Sequence, residues 1–223
     1  MILFLEKTII MKINIHTHKV SALDKNTDTV EIVNHIINTS SAELQGKYIS
    51  AGIHPWYIDN PDEQLRILEE QLAVNPNIIA VGEAGLDKLR GCDLAVQCDI
   101  FEKQILLAER YSKPLIIHCV KAFDELLALK KQIKPSVPWI VHGFRGNHIQ
   151  AQQLVKNGLV LSFGPIFNHQ ALKAVWNDVF FLETDDNDCS ISEVYKLVAD
   201  TLNMDVDDLE TNVEQKFLFL KLF

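Results

Sequence analysis

The sequence predicts an α/β chain folded as a (β/α)8 TIM-type barrel, compact, with its first helix missing or reduced. Three observations carry this. Eight short apolar runs rich in valine, isoleucine and phenylalanine alternate with stretches of helical period. Histidines and carboxylates fall at the ends of those runs, where a barrel gathers its chemistry on one rim. No glycine-rich phosphate loop follows the first run, which argues against the rival architecture, an open doubly wound sheet.

The expected strands are, in order, "KINIHTH", "TVEIVNHI", "YISAGIHP", "IIAVGEAG", "PLIIHC", "WIVHGF", "LVLSFG" and "VFFLETD". Each is bounded by turn residues, as strands buried on both faces are. Between the first two, "KVSALDKNTDT" has no helical period, so the first helix is expected to be absent or a single turn. "NPDEQLRILEEQLAV" offers Asn60 as N-cap, Pro61 at the first helical position and Glu63 to close a capping box, with Leu65, Leu68 and Leu72 on one stripe. "FEKQILLAERY" keeps the same period. A helix from an Asn147 cap stops at Gly158, and Ser190 with Glu193 opens another in capping-box spacing. Val206, Leu209, Val213, Phe217 and Leu220 mark a closing helix.

No linker or low-complexity tract interrupts the 223 residues, so residues 11–223 read as one domain, with 1–10 a possible extension ahead of Met11. That opening decade is too short to span a bilayer and lacks a cleavage site, so no targeting signal or membrane association is expected. Cys92, Cys98, Cys119 and Cys189 show no C-x-x-C spacing, which suits reduced thiols in a cytoplasmic protein. A net charge of −9 provides no global basic field to draw in nucleic acid. Divalent cations at a site could reverse that sign locally.

His16 and His18 lie two apart in a strand and so share a face. His54, Glu83, His118, His142 and Asp185 close later runs. Taken singly, His118 or His142 is an ordinary core histidine, His54 before Pro55 shapes a turn, and Asp185 is a cap. Together they form a ring of imidazoles and carboxylates, costly to bury without a shared ligand. A divalent cation is that ligand, and zinc, magnesium, manganese or iron all suit the donors. His35 could join this mouth or face the outer shell, and His148 and His169 read as surface residues.

The ordered series "HTH", "GIHPW", "AVGEAGLD", "FEKQILLAERYSKPLIIHC", "IVHGF" and "LETD" resembles the TatD-like metal-dependent hydrolases, amidohydrolase-like barrels best known as deoxyribonucleases. The likeness covers nearly the whole chain from Met11. It implies two divalent metal ions, one held by His16, His18, Glu83 and Asp185, the other by Glu83, His118 and His142, with Glu83 shared. It further implies a bridging water that attacks a phosphodiester, with Asp185 taking its proton. His54 would sit beside the substrate phosphate and Asp87 would orient a ligand histidine. A nucleic acid or nucleotide substrate is implied, and no obligate protein partner.

Three departures qualify the likeness. Asn14 stands where the family usually has the acid of D-x-H-x-H, which weakens a supporting contact. Val120 and Lys121 follow "IIHC" where an arginine is usual, and Lys121 is a less specific phosphate partner. After "LETD" the usual proline-containing loop is replaced by "DNDCSISEVY", which places Asp186 and Asp188 near the site. Ligands are retained while phosphate contacts are reduced. Hydrolysis of an amide, ester or lactone on the same scaffold, or a non-enzymatic metal-binding barrel, therefore stand as alternatives to a phosphodiesterase.

Overall fold

The computed structural model describes residues 10–19, 28–38 and 44–220. One eight-stranded sheet follows chain order: β1 (Lys12–Thr17), β2 (Thr29–Ile36), β3 (Tyr48–Gly52), β4 (Ile78–Asp87), β5 (Leu115–Val120), β6 (Trp139–Val141), β7 (Val160–Phe163) and β8 (Phe180–Leu182). Every neighbouring pair is parallel. Helices α1 (Pro61–Val74), α2 (Leu94–Arg110), α3 (Phe123–Ile133), α4 (His148–Lys156) and α5 (His169–Val175) each return the chain from β3 to β7, and α6 (Ile191–Leu202) and α7 (Val206–Phe219) follow β8. The stretch expected to lack a first helix falls largely on residues 20–27, and the possible extension on 1–9, both outside the described residues.

The strands are buried on both faces because helices cover the outside and side chains fill the inside. All ten residues of β4 are buried, and Phe101 of α2 packs on Trp139 of β6 with ring centroids 5.9 Å apart. No helix among the described residues is long and apolar enough to cross a membrane. The four cysteines are free, and burial pushes the Cys119 thiol up to about 12.

The barrel closes between β1 and β8 through little regular pairing. One parallel bridge joins Thr17 to Asp185. The His18 N–H donates to the Asp185 carbonyl at 3.1 Å, and the Asp185 N–H to the His16 carbonyl at 3.0 Å. Side chains complete the seam. The Ile13 N–H donates to the Tyr195 hydroxyl at 2.9 Å, and that hydroxyl donates to the Ile13 carbonyl at 3.2 Å. Asn14 donates from Nδ2 to Thr184 Oγ1 at 2.9 Å and accepts the Thr184 N–H at 3.1 Å. Asn14 thus ties two strands together, a task that uses both ends of an amide.

Two helix starts form as expected. Asn147 accepts the Gln150 N–H, and Ser190 with Glu193 completes a capping box. Replacing Ser190 with alanine is expected to cost about 1 kcal/mol, read as a lower denaturation midpoint with an unchanged slope. The third start differs. Asn60 makes no side-chain cap bond, and Glu63 pairs with Arg66 at 2.7 Å instead of reaching back. Pro61 alone sets that entry. The buried stripe of α1 is Gln64, Leu68 and Leu72, with Leu65 only half-buried. Gln64 is admitted to the core because its amide donates to the Ile37 and Tyr57 carbonyls, both at 2.9 Å.

Candidate metal centre

Strand ends place the ring of polar residues, with one exception. His54, His142 and Asp185 lie just beyond β3, β6 and β8, and His118 sits within β5. Glu83 is not at a strand end, because β4 continues to Asp87. The register with β3 and β5 shifts around it, and the Gly82–Glu83 peptide is cis. Asn34 of β2 holds this irregular segment by accepting the Glu83 N–H at 2.6 Å and the Ser50 hydroxyl at 3.1 Å.

The Glu83 carboxylate is the hub. Its Oε1 lies 3.0 Å from His54 Nε2, 2.8 Å from His118 Nδ1 and 2.8 Å from His142 Nε2. Its Oε2 lies 3.4 Å from the Nε2 atoms of both His16 and His18. Asp185 Oδ1 faces the same two rings at 3.6 and 3.5 Å. One carboxylate thus meets five imidazoles delivered by four separate segments of the barrel.

Burial and charge set the protonation here. Burial alone would raise the Glu83 carboxyl, but the charge of His142 and hydrogen bonds from His118, His142 and His16 hold it well below the usual range. Asp185 is likewise raised by burial and pulled back to about 2 by His16 and His142. Burial also opposes charge on His142, but Glu83 and Glu183 outweigh it and push its pKa well above normal. His54 goes the other way, because its burial outweighs the pull of Glu83. Its Nδ1 accepts the Trp56 N–H at 3.1 Å, which leaves Nε2 to donate to Glu83.

Asp87 holds one side of the ring. Its Oδ2 accepts from Trp56 Nε1 at 2.6 Å and faces His118 Nε2 at 3.1 Å. Its Oδ1 accepts the Leu89 and Arg90 N–H groups at 2.7 and 3.1 Å. Gln97 of α2 anchors the same turn through the Asp87 backbone. Lys121 is exposed, and His35 bonds the Gln45 carbonyl on the outer shell rather than joining the centre. His148 and His169 are exposed at helix starts.

Two residues of the site were not among those expected. Glu183 is fully buried, accepting the Gly143 N–H at 2.7 Å and facing His142 Nδ1 at 3.3 Å. Its distance of two residues from Asp185 was the available signal, because alternate strand residues share a face. Asn34 carries the other signal, an amide inside an apolar strand.

The donors suit a divalent ion. His16 is fully buried, yet neither ring nitrogen has a hydrogen-bond partner, a costly state that a cation relieves. Four sets of donor atoms lie within 4.8 Å of one another: His16, His18 and Asp185; His16, Glu83 and His142; His54, Glu83 and His118; and His142, Glu183 and Asp185. The expected grouping of Glu83 with His118 and His142 is divided here, since His118 pairs with His54, and His142 with His16.

Comparisons with known proteins agree with this geometry. Residues 12–220 match the family described as TatD related DNase. The chain is 34% identical over 154 residues to the "Uncharacterized metal-dependent hydrolase" of Haemophilus influenzae, an alignment covering 63% of this chain and 59% of the relative. It is 30% identical over 112 residues to the "3'-5' ssDNA/RNA exonuclease TatD" of Erwinia billingiae, covering 49% and 43%. The matched portion is therefore about half the length of such relatives. The solved structure of YjjV, a TatD homolog from Escherichia coli, superposes with a TM-score of 0.67 at 24% identity, covering 78% of this chain and 76% of that one, and so supports the barrel fold.

Proposed function

We propose that this chain, which belongs to the TatD-related DNase family, is a divalent-metal-dependent hydrolase of phosphodiesters in nucleic acid or nucleotides. The observation that carries the reading is the Glu83 carboxylate surrounded by five histidines, with the unpartnered His16 ring at its edge. His16, His18, Glu83 and Asp185 would hold one cation, and Glu83, His118 and His142 a second. When bound, such ions acidify an attacking water and neutralise charge on phosphate oxygens.

The protein's own groups have distinct tasks. Asp185, ionised at neutral pH because its pKa is held at about 2, accepts the proton of the attacking water. His54 presents a neutral imidazole beside the phosphate, its tautomer fixed by the Trp56 N–H. Asp87 orients His118, while Glu183 orients His142. Lys121 stands at the rim, where its ammonium meets phosphate as a point charge. The four free cysteines suit a cytoplasmic enzyme.

The test is hydrolysis of single-stranded DNA, RNA and a chromogenic phosphodiester by chelator-treated protein resupplied with magnesium, manganese or zinc. Activity is expected to return with metal and to fall about 10²–10³-fold in Asp185→Asn. Activity equal in the variant and the wild type would come from a contaminant and would end the reading. The acidic Asp186 and Asp188 favour hydrolysis of a carboxylic ester, amide or lactone as a second reading. Phosphodiester turnover well above turnover of those bonds eliminates it.

A further inference from the structure

The mouth of the barrel is a cleft with two lobes that meet at Trp56, His118, His142 and Asp185. The larger, of about 630 Å³, extends over the segments after β5 and β6. Lys121 and Arg145 line it, both exposed and neither in an ion pair among the described residues. Asp124 is its one carboxylate besides Asp185. The smaller lobe, of about 280 Å³, lies on the opposite side. Glu83, Asp185 and Asp186 line it, with no lysine or arginine among the described residues. Its remaining surface includes Ile36 and the ring of Tyr57, which is 47% exposed. The Tyr57 ring stands 6.4 Å from Trp56 in edge-to-face contact, a surface on which a base can stack.

We infer that this charge asymmetry selects the end of the substrate: the terminal unit in the smaller lobe is an uncharged nucleoside with a free hydroxyl, while the phosphates of the strand run over Arg145 and Lys121. The inference rests on the nuclease reading and deepens it. A terminal phosphate in the smaller lobe would face Asp186 with no cation to offset it, an unfavourable like-charge approach. Phosphates in the larger lobe meet two cations free to receive them. Arg145 is the specificity residue here, because its planar fork binds a phosphate through two hydrogens at once. It follows Phe144 directly after the His142 segment, so it supplies from β6 a guanidinium that the segment after β5 lacks.

Two measurements on the full chain test this. The first is binding of a phosphorothioate-backboned hexathymidylate, which resists hydrolysis, across a range of salt concentrations. Arg145→Gln is expected to weaken binding about tenfold at low salt and to make the slope of log affinity against log salt shallower by about 0.7. Lys121→Asn, which tolerates the backbone angle φ of 56° at that position, is expected to act in the same direction. The second is metal-supported cleavage of oligothymidylates ending in hydroxyls, in a 5′-phosphate or in a 3′-phosphate. One of the two phosphates is expected to lower kcat/KM at least about tenfold, and Asp186→Asn to restore most of that loss. Salt slopes equal to wild type in both cation variants, or equal cleavage of all three ends, overturn the inference. Should the wild type hydrolyse no oligonucleotide with any metal, the nuclease reading fails; the salt slope of Arg145→Gln still decides separately whether the cationic lobe binds a strand.

Discussion

Replacing Glu83 with glutamine is expected to remove metal-dependent hydrolysis almost completely, by about a thousandfold or more, with the fold retained. The size follows from position. Among the described residues Glu83 is the one carboxylate within reach of all five imidazoles, so it is the group that two cations can share. Glutamine preserves the shape and the Asn34 contact, which is made by the Glu83 backbone. It removes the negative charge that balances His142, and it offers each ion a single neutral oxygen. Losing one preorganised electrostatic partner typically costs 10²–10³-fold, and here two ions lose theirs together. Elemental analysis after gel filtration should show metal content falling alongside activity, with an unchanged circular dichroism spectrum. Full metal content with full activity would remove Glu83 from the centre of the site.

Replacing Gly85 with alanine is expected to destabilise the barrel by roughly 4 kcal/mol or more, which places it among exceptional single substitutions. Two causes act together. Gly85 has a φ of 149°, a conformation that L-residues rarely adopt. A Cβ there would also lie 2.0 Å from the His118 carbonyl oxygen, which is backbone and cannot swing aside. β4 and β5 pair through Gly85 and His118, so relief of the collision requires the two strands to part. The expected readout is a melting temperature lower by roughly 10 °C or more. An equal melting temperature would show that β4 can shift without cost. This glycine therefore sets how closely the strand carrying Glu83 approaches the strand carrying His118.

The barrel was legible because parallel strands must be apolar on both faces, so each of the eight announces itself as a short continuous run. The rim was legible because a histidine or carboxylate that closes such a run has little to face except the barrel mouth. Helices α3 and α5 were not among those expected. Ala122 gives α3 no side-chain cap, and α5 is only seven residues long. Glu83 was expected at a strand end and lies inside β4, because the register shifts that turn it inward leave no pattern in the residue types. The contact of His54 with Glu83 was hidden for a related reason. Spacing tells which face a residue occupies, but the curvature of the barrel decides which residues meet across its axis. Asn14 read as a weakened support for the site, and its work is instead to hold Thr184.

That last contact belongs to a join with an unusual energetic character. Around the rest of its circumference the barrel is held by ladders, whereas between Ile13 and Thr184 it is held by a phenol and an amide. Side-chain hydrogen bonds of this kind contribute about 1 kcal/mol each, so the hoop is weakest along this line. His16 and His18 stand on one bank, and Asp185 on the other. Anything gripped by those three residues spans the gap and binds only when the hoop is shut, so by mass action the same ligand that equips the enzyme also buckles the barrel closed.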